Sequence, residues 1–145
     1  MPDWVNQGIQ TYTKRLPRHI ELQFRELPAA QRVSGATPEK LKQKEGNQLL
    51  KAAPDSAYVI ALDEHGKSWN STDVAAQLED WMAHYPSIVF FIGGPDGLAE
   101  TCKQRADKLW SLSPLTLPHP LVRVVLAEQI YRAWTLVQGH PYHRD

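Results

Sequence analysis

The sequence predicts an α/β protein with a mainly parallel sheet and helices on both faces. Two continuous apolar runs, residues 58–63 and 87–92, are typical of parallel strands that are covered on both sides. Segments with helical spacing of apolar residues precede, separate and follow these runs. The predicted helices cover residues 3–16, 37–53, 71–84, 98–109 and 121–137. The predicted strands cover residues 20–27, 58–63 and 87–92, and a short strand and loop covers residues 110–117.

Local signals set the ends of several elements. Asp3 is a candidate N-cap for the first helix, and Thr37 followed by proline is a stronger one for the second. Residues 20–27 alternate apolar and polar side chains as far as Phe24, which predicts a half-buried strand that ends before Pro28. Residues 64–67 are predicted to form a turn after the strand, and Gly139 is expected to close the last helix.

Length and charge limit the class of protein. The 145 residues fit one compact domain, residues 1–145. Sixteen basic and sixteen acidic residues give no net charge, whereas proteins that bind free nucleic acid are usually basic. An RNA-binding role would therefore need a local basic patch or help from a partner. The second helix carries a lysine-rich exposed face.

Cysteine usage and hydropathy indicate the compartment. The single cysteine, Cys102, excludes an internal disulfide and a cysteine-based zinc site, and suits a reducing environment. The chain has no apolar run of about 20 residues and no secretory signal at its N-terminus. We expect a cytoplasmic protein with no membrane segment and no metal.

Two segments follow predicted strands, where open parallel sheets bind ligands. Residues 93–97 read Gly-Gly-Pro-Asp-Gly, which allows either a close approach to a ligand or only a tight turn. The pattern is neither a P-loop nor a dinucleotide fingerprint. Residues 112–120 form a mostly apolar loop. Its peptide groups could bind an adenine edge, or the loop could be a buried connection.

The C-terminal part offers further candidates. The last helix is apolar on most faces, so a second partner such as another copy of the chain is expected. Arg123 near its start suggests an anionic partner, and a solvated arginine is the alternative. The tail from His140 to Arg144 combines rings with a guanidinium, which suits an unstacked RNA base, although termini are often frayed.

These segments together resemble one family. The glycine cluster, the loop at 112–120, the helix from Arg123 to Trp134 and the terminal Pro-Tyr-His-Arg are similar to the ribosomal RNA large subunit methyltransferase H family. That family is the small single-domain branch of the SPOUT, or trefoil-knotted, methyltransferases. The resemblance covers essentially the whole chain in matching order.

The resemblance implies a C-terminal trefoil knot, S-adenosylmethionine as cofactor and a homodimer. It further implies methylation of N3 of a pseudouridine in 23S rRNA within the assembled ribosome. The implied cofactor-binding residues are Leu62, Gly93, Gly94, Leu112, Ser113, Pro114, Leu115, Thr116 and Leu117. The implied catalytic or RNA-side residues are His119, Arg123, Tyr142, His143 and Arg144.

One departure from the family pattern leaves alternatives open. A short strand that precedes the segment matching Met1 to Trp4 in the family is absent here, so the domain is expected to be N-terminally short and less stable. Loss of that strand would be compatible with a non-catalytic RNA- or nucleotide-binding dimer. A knotted methyltransferase that acts on tRNA is a second alternative.

Overall fold

The computed structural model describes residues 1–28 and 35–144, with side chains to residue 142. The described parts of Met1–Arg25, Trp69–His84 and Pro120–Asp145 form one compact unit, called the helical unit below; those of Glu26–Ser68 and Tyr85–His119 form the sheet unit. Whether the chain acts as one domain stays a prediction. In chain order the elements are α1 (Asp3–Thr13), α2 (Pro38–Ala52), β1 (Tyr58–Ser68), α3 (Ser71–His84), β2 (Ile88–Phe91), α4 (Glu100–Arg105), β3 (Lys108–Ser111), α5 (His119–Gln138) and a 3₁₀ helix (Pro141–Arg144).

The predicted α/β class and the parallel pairing are confirmed. The strands of the sheet unit lie in the order β2-β1-β3, and both pairings are parallel. Ala61 of β1 pairs with Phe91 on one side and with Leu109 on the other. Because the three strands run in the same direction, their carboxyl ends lie along one edge of the sheet.

One face of this sheet packs against α2 and α4. Val59, Ala61 and Phe91 are buried in a cluster with Leu98 and Cys102. The Cys102 thiol donates to the Gly46 carbonyl at 3.4 Å, and burial raises the pKa of this thiol. At the start of α2, the Thr37 hydroxyl accepts from the Lys40 amide at 3.2 Å, which confirms the predicted N-cap.

The helical unit is held by contacts between α1 and α5. Val5 and Ile9 are buried together with Ala127. The close approach needs a glycine, since a Cβ at Gly8 would lie 3.1 Å from two carbons of Val124. The predicted end of α5 is confirmed: Gly139 has φ +71°, and the next amide donates to the Thr135 carbonyl at 2.8 Å.

No helix within residues 1–28 and 35–144 has the length and apolar composition needed to cross a membrane.

The predicted strand over residues 20–27 is wrong. Its alternation is real, since Ile20, Leu22 and Phe24 are half-buried and the residues between them are exposed. Phe24 packs against the cluster around Val5. The backbone nevertheless joins no ladder in the part of the chain that the structure describes. Alternation of apolar and polar residues indicates a half-buried extended segment. A strand also needs hydrogen bonds to a neighbouring strand.

The predicted turn at residues 64–67 is also corrected, because β1 continues to Ser68. The pairing with β3 shifts between Leu62 and Lys67, and Trp110 is the partner of both. Gly66 permits this irregularity, since a Cβ there would lie 2.6 Å from the carbonyl carbon of Leu109.

Several element boundaries also differ from the prediction. The first helix ends at Thr13, with Pro2 rather than Asp3 in the N-cap position. Helix α4 ends at Arg105, and β3 begins earlier than expected, at Lys108. The cause lies in the intervening Asp107, whose carboxylate accepts from the Val59 amide at 2.8 Å while its own amide donates to the Val59 carbonyl at 2.7 Å. These bonds direct the chain alongside β1 instead of continuing the helix.

Candidate active site

The carboxyl edge of the sheet brings together the residues expected to bind a cofactor. Leu62 is paired with Trp110 near the end of the first section of β1. Gly93 and Gly94 follow β2, and the loop from Leu112 follows β3. Every predicted cofactor residue thus belongs to the sheet unit and to one edge of it. Their role in binding stays a prediction.

The glycine cluster after β2 forms a closed turn. The Gly97 amide donates to the Gly94 carbonyl at 3.0 Å, and Gly97 has φ +84°, a left-handed conformation that favours glycine. A Cβ on Gly93 would lie 2.7 Å from the carbonyl carbon of Gly97 and 2.9 Å from its oxygen. At Gly94 the nearest atom would be a Glu45 oxygen at 3.4 Å, an ordinary contact. The turn therefore requires glycine at position 93 more strictly than at position 94.

The loop after β3 is ordered by its own hydroxyl groups. Ser111 donates from its hydroxyl to the Ser113 carbonyl at 2.9 Å, and the Leu115 amide donates to the Ser113 hydroxyl at 2.9 Å. These bonds bend the chain and expose Leu115 to 70%. The loop is thus an exposed structure at the edge of the sheet, not the buried connection that the sequence also allowed.

Side chains of β1 hold this edge at two points. The Thr116 hydroxyl donates to the Glu64 carboxylate at 3.2 Å, which ties the loop to the extension of β1. Lys103 of α4 forms an ion pair with Asp63 at 3.4 Å, and the Asp63 side chain is only 14% exposed. The ion pair connects the end of the first section of β1 to the helix beside it.

The edge has the composition that an adenosyl group requires. Within residues 1–28 and 35–144, the peptide groups of Thr116 and Leu117 make no hydrogen bond, so donors and acceptors remain for a base edge. Apolar side chains from Leu112 to Leu117 flank them. The glycine turn after β2, at the same edge of the sheet, has no side chain at positions 93 and 94. The residues present therefore fit a purine-containing cofactor.

Helix α5 carries two of the predicted RNA-side residues. His119 is its first residue, and Arg123 follows one turn later. The Nε of Arg123 is buried and has no hydrogen-bond partner among the residues that the structure describes. This nitrogen therefore has unused donor capacity, and the choice between an anionic partner and solvent stays a prediction.

The tail residue Tyr142 is docked on α5, in the helical unit. Its hydroxyl donates to the Glu128 carboxylate at 2.9 Å, and its ring meets that of Tyr131 edge-on, with 4.7 Å between centroids. Arg132 lies 5.0 Å from the Tyr142 ring centroid and pairs with Glu128 at 3.0 Å. We call Glu128, Tyr131, Arg132 and Tyr142 the tail cluster.

Electrostatics keep the Tyr142 phenol protonated. Burial, the hydrogen bond to Glu128 and the charge of that carboxylate raise the pKa of Tyr142 to about 12, against a smaller opposing effect of Arg132. At neutral pH this residue is therefore a hydrogen-bond donor and not a base.

Glu128 and Arg132 have the i, i+4 spacing of a helical ion pair, and the structure forms this pair. Sequence reasoning missed its connection to the tail. The available signal was a charged pair within a mostly apolar helix. Glu64 and Asp63 were missed as well, because nothing in a sequence indicates which loop a strand extension will contact.

The side chains of His143 and Arg144 lie outside the described residues. Among the side chains that the structure describes, in residues 1–28 and 35–142, His, Cys, Asp and Glu form no group of three that could hold a metal ion.

A parallel sheet with loops at its carboxyl edge places the protein among the α/β proteins, whose open sheets bind ligands at this edge. Comparison with known families identifies the family to which this chain belongs. A family model described as "Predicted SPOUT methyltransferase" matches residues 1–143. The chain belongs to the SPOUT methyltransferase family, whose methyl donor is S-adenosylmethionine.

Curated relatives agree along the whole chain. It is 51% identical over 145 residues to a protein of Hahella chejuensis named "Ribosomal RNA large subunit methyltransferase H", with 100% of this chain and 93% of the relative covered. Proteins with the same name from Thioalkalivibrio sulfidiphilus and Methylococcus capsulatus are 48% and 45% identical, covering 100% and 99% of this chain and 93% of each relative. The resemblance inferred from the motifs is confirmed.

Proposed function

We propose that this protein methylates N3 of a pseudouridine in 23S rRNA, with S-adenosylmethionine as donor, on the assembled ribosome. The observation that carries the proposal is the 51% identity over all 145 residues to a relative named for rRNA methylation. The geometry of the sheet edge supports it, because the exposed loop after β3 keeps peptide groups available for the edge of a purine. An enzyme with this substrate would work in the cytoplasm.

The cofactor site would be built mainly from main chain. Gly93 and Gly94 leave room beside the ligand, and the free peptide groups of Thr116 and Leu117 offer hydrogen bonds to the adenine. Leu62 and the apolar side chains of residues 112–117 would enclose the base. When bound, the sulfonium of the cofactor supplies an activated methyl group, so the protein needs neither a metal nor a covalent nucleophile.

The protein must still orient the target nitrogen and stabilise the negative charge that forms on it. The target nitrogen must be held in line at near-attack distance, and its imide proton must leave because neutral N3 has no available lone pair. We assign Arg123 to the stabilisation of the resulting anion, since its buried Nε has donor capacity to spare. His119, His143 and Arg144 are the further candidates on the RNA side. The protonated Tyr142 would position the tail.

A homodimer and a C-terminal knot are part of the proposal. Apolar side chains on α5 remain available for a partner: Leu121 is 37% exposed, and Val122, Val125 and Trp134 are only half-buried. Light scattering at micromolar concentration should give twice the chain mass, and a stable, active monomer would contradict the dimer.

Transfer of labelled methyl groups tests the activity. We expect incorporation into 70S ribosomes and much less into naked 23S rRNA or tRNA, and nucleoside mass spectrometry should detect N3-methylpseudouridine. Methylation of tRNA alone would favour a different knotted methyltransferase. Cofactor binding without any methyl transfer would favour the non-catalytic alternative.

A further inference from the structure

We propose that the outer face of α2, formed by Lys40, Lys44 and Lys51, is a docking surface for the phosphate backbone of the RNA substrate. The proposal rests on the proposed function, because it assumes an RNA substrate. It assigns a role to a helix that lies outside the predicted cofactor and RNA-side residues.

The inner and outer faces of α2 are sharply different. Leu41 and Gly46 are buried, and a Cβ on Gly46 would lie 2.7 Å from the Ala99 side chain, so this face is in contact with the segment leading into α4. The three lysines are exposed and are separated by four and seven residues, which is about one and two turns. They therefore form one stripe on the side that faces away from the core.

The stripe contains no carboxylate. The two acidic residues of α2 lie on other faces: Glu39 pairs with Lys42 at 3.7 Å, and Glu45 is directed toward the glycine turn, near Gly94. Within residues 1–28 and 35–144, Lys40, Lys44 and Lys51 make no ion pair. Between the lysines the stripe carries only the amides of Gln43 and Asn47, which bond to each other at 3.1 Å.

Lys40 lies at a helix position that disfavours a positive charge. It lies three residues after the Thr37 cap, where a glutamate would complete a capping box and a positive charge opposes the helix dipole. Sequences that violate such a rule commonly do so at functional positions. An anionic partner would compensate for this charge.

The local charge of the stripe, and not the charge of the whole chain, favours a polyanion such as RNA as the partner. The net charge is zero, so binding to a polyanion depends on local concentration of basic residues. The stripe extends about 16 Å along the helix axis, long enough to meet several phosphates. Through Glu45 the same helix borders the Gly93–Gly97 turn. The stripe and the proposed cofactor edge thus share one helix.

The test replaces all three lysines by glutamine and compares the variant with a control of equal charge change. Lys14→Gln, Arg18→Gln and Arg25→Gln together form that control, because the three residues are exposed and lie outside α2. The measurements are the Kd for 70S ribosomes and for naked 23S rRNA at several salt concentrations, the KM and kcat of methyl transfer, and the affinity for S-adenosylmethionine. Circular dichroism checks the fold.

We expect the α2 variant to bind both ribosomes and naked rRNA at least tenfold more weakly, with a salt slope reduced by about 2, since each lost phosphate contact on a single strand removes about 0.7. KM should rise while kcat at saturation and cofactor affinity stay unchanged. An equal loss in the control would show a general charge effect and overturn the proposal. So would weaker ribosome binding with unchanged affinity for naked rRNA, which would indicate a ribosomal protein as partner. Failure of the wild-type enzyme to methylate rRNA would instead reject the proposed function.

Discussion

The cofactor edge of the sheet unit and the tail cluster of the helical unit are built from different chemical groups. At the edge the decisive features are main-chain ones: the left-handed Gly97, the position of Gly93 against Gly97, and the free peptide groups of Thr116 and Leu117. In the tail cluster every contact is made by a side chain, and Glu128 alone accepts from both Tyr142 and Arg132.

This difference determines how each region responds to mutation. A site made of main chain tolerates changes of side chain but fails when a Cβ distorts its turn. A cluster made of side chains loses one contact at a time, so its response should be graded. The predictions below test this contrast, beginning with the largest expected effect.

Gly93→Val should abolish binding of S-adenosylmethionine. Even the Cβ of the valine would lie 2.7 Å from the Gly97 carbonyl carbon, a main-chain atom that cannot move without opening the turn. Isothermal calorimetry on the folded variant is the measurement. The matched control is Gly94→Ala, where the new Cβ meets only the Glu45 side chain at 3.4 Å and the fold should be retained. Near-normal affinity of a folded Gly93→Val variant would remove Gly93 from the site.

Deletion of residues 142–145 should reduce methyl transfer to ribosomes by orders of magnitude and leave cofactor affinity largely unchanged. The deletion removes the tyrosine that docks the tail on Glu128 and the basic residues that follow it. Methyl transfer and calorimetry on the same preparation separate the two effects. Full activity of the shortened chain would show that the tail is not needed.

Much of the sheet unit could be predicted from the sequence. Buried parallel strands are continuous apolar runs, so residues 58–63 and 87–92 were visible, and the edge followed because parallel carboxyl ends align. The half-buried segment at residues 20–27 was misassigned, because alternation measures burial and does not reveal a pairing partner. The extension of β1 was missed for a related reason: it depends on the contact of Gly66 with Leu109 across the sheet.

The candidate site was predictable only in part. Glycines and apolar loops at strand ends carry a local signal, whereas contacts between distant side chains do not. Glu64 lies 52 positions from Thr116, and no spacing rule connects them. The tail cluster likewise joins residues 14 apart across a helix end, so its existence depended on the turn at Gly139.

Thr116→Val should weaken cofactor affinity by several-fold, a much smaller effect than that of Gly93→Val. The substitution keeps the shape of the side chain but removes the hydroxyl that donates to Glu64 at 3.2 Å, a bond worth roughly 1 kcal/mol. The loop would then be less well fixed while its peptide groups remain. Calorimetry measures the change. Glu64→Gln is the control, because its amide oxygen still accepts from Thr116, and an equal loss there would contradict this explanation.

The smallest expected effect is confined to alkaline pH and concerns Tyr142. Its pKa is raised to about 12 in the folded protein, first by burial and then by Glu128, whereas a phenol in the unfolded chain titrates near about 10. A raised folded-state pKa means that the protonated form is favoured by folding. The resulting stabilisation is complete below pH 10 and is lost as pH rises from about 10 through 12.

Glu128→Gln keeps an acceptor for the hydroxyl but removes the negative charge, so the pKa of Tyr142 should fall toward its ordinary value. Ultraviolet titration of phenolate, with Tyr142→Phe subtracted to isolate the one residue, measures both values. A wild-type Tyr142 that ionises near pH 10, or at the same pH in the Glu128→Gln variant, would show that the carboxylate does not hold the phenol and that the tail is docked by its ring contacts alone.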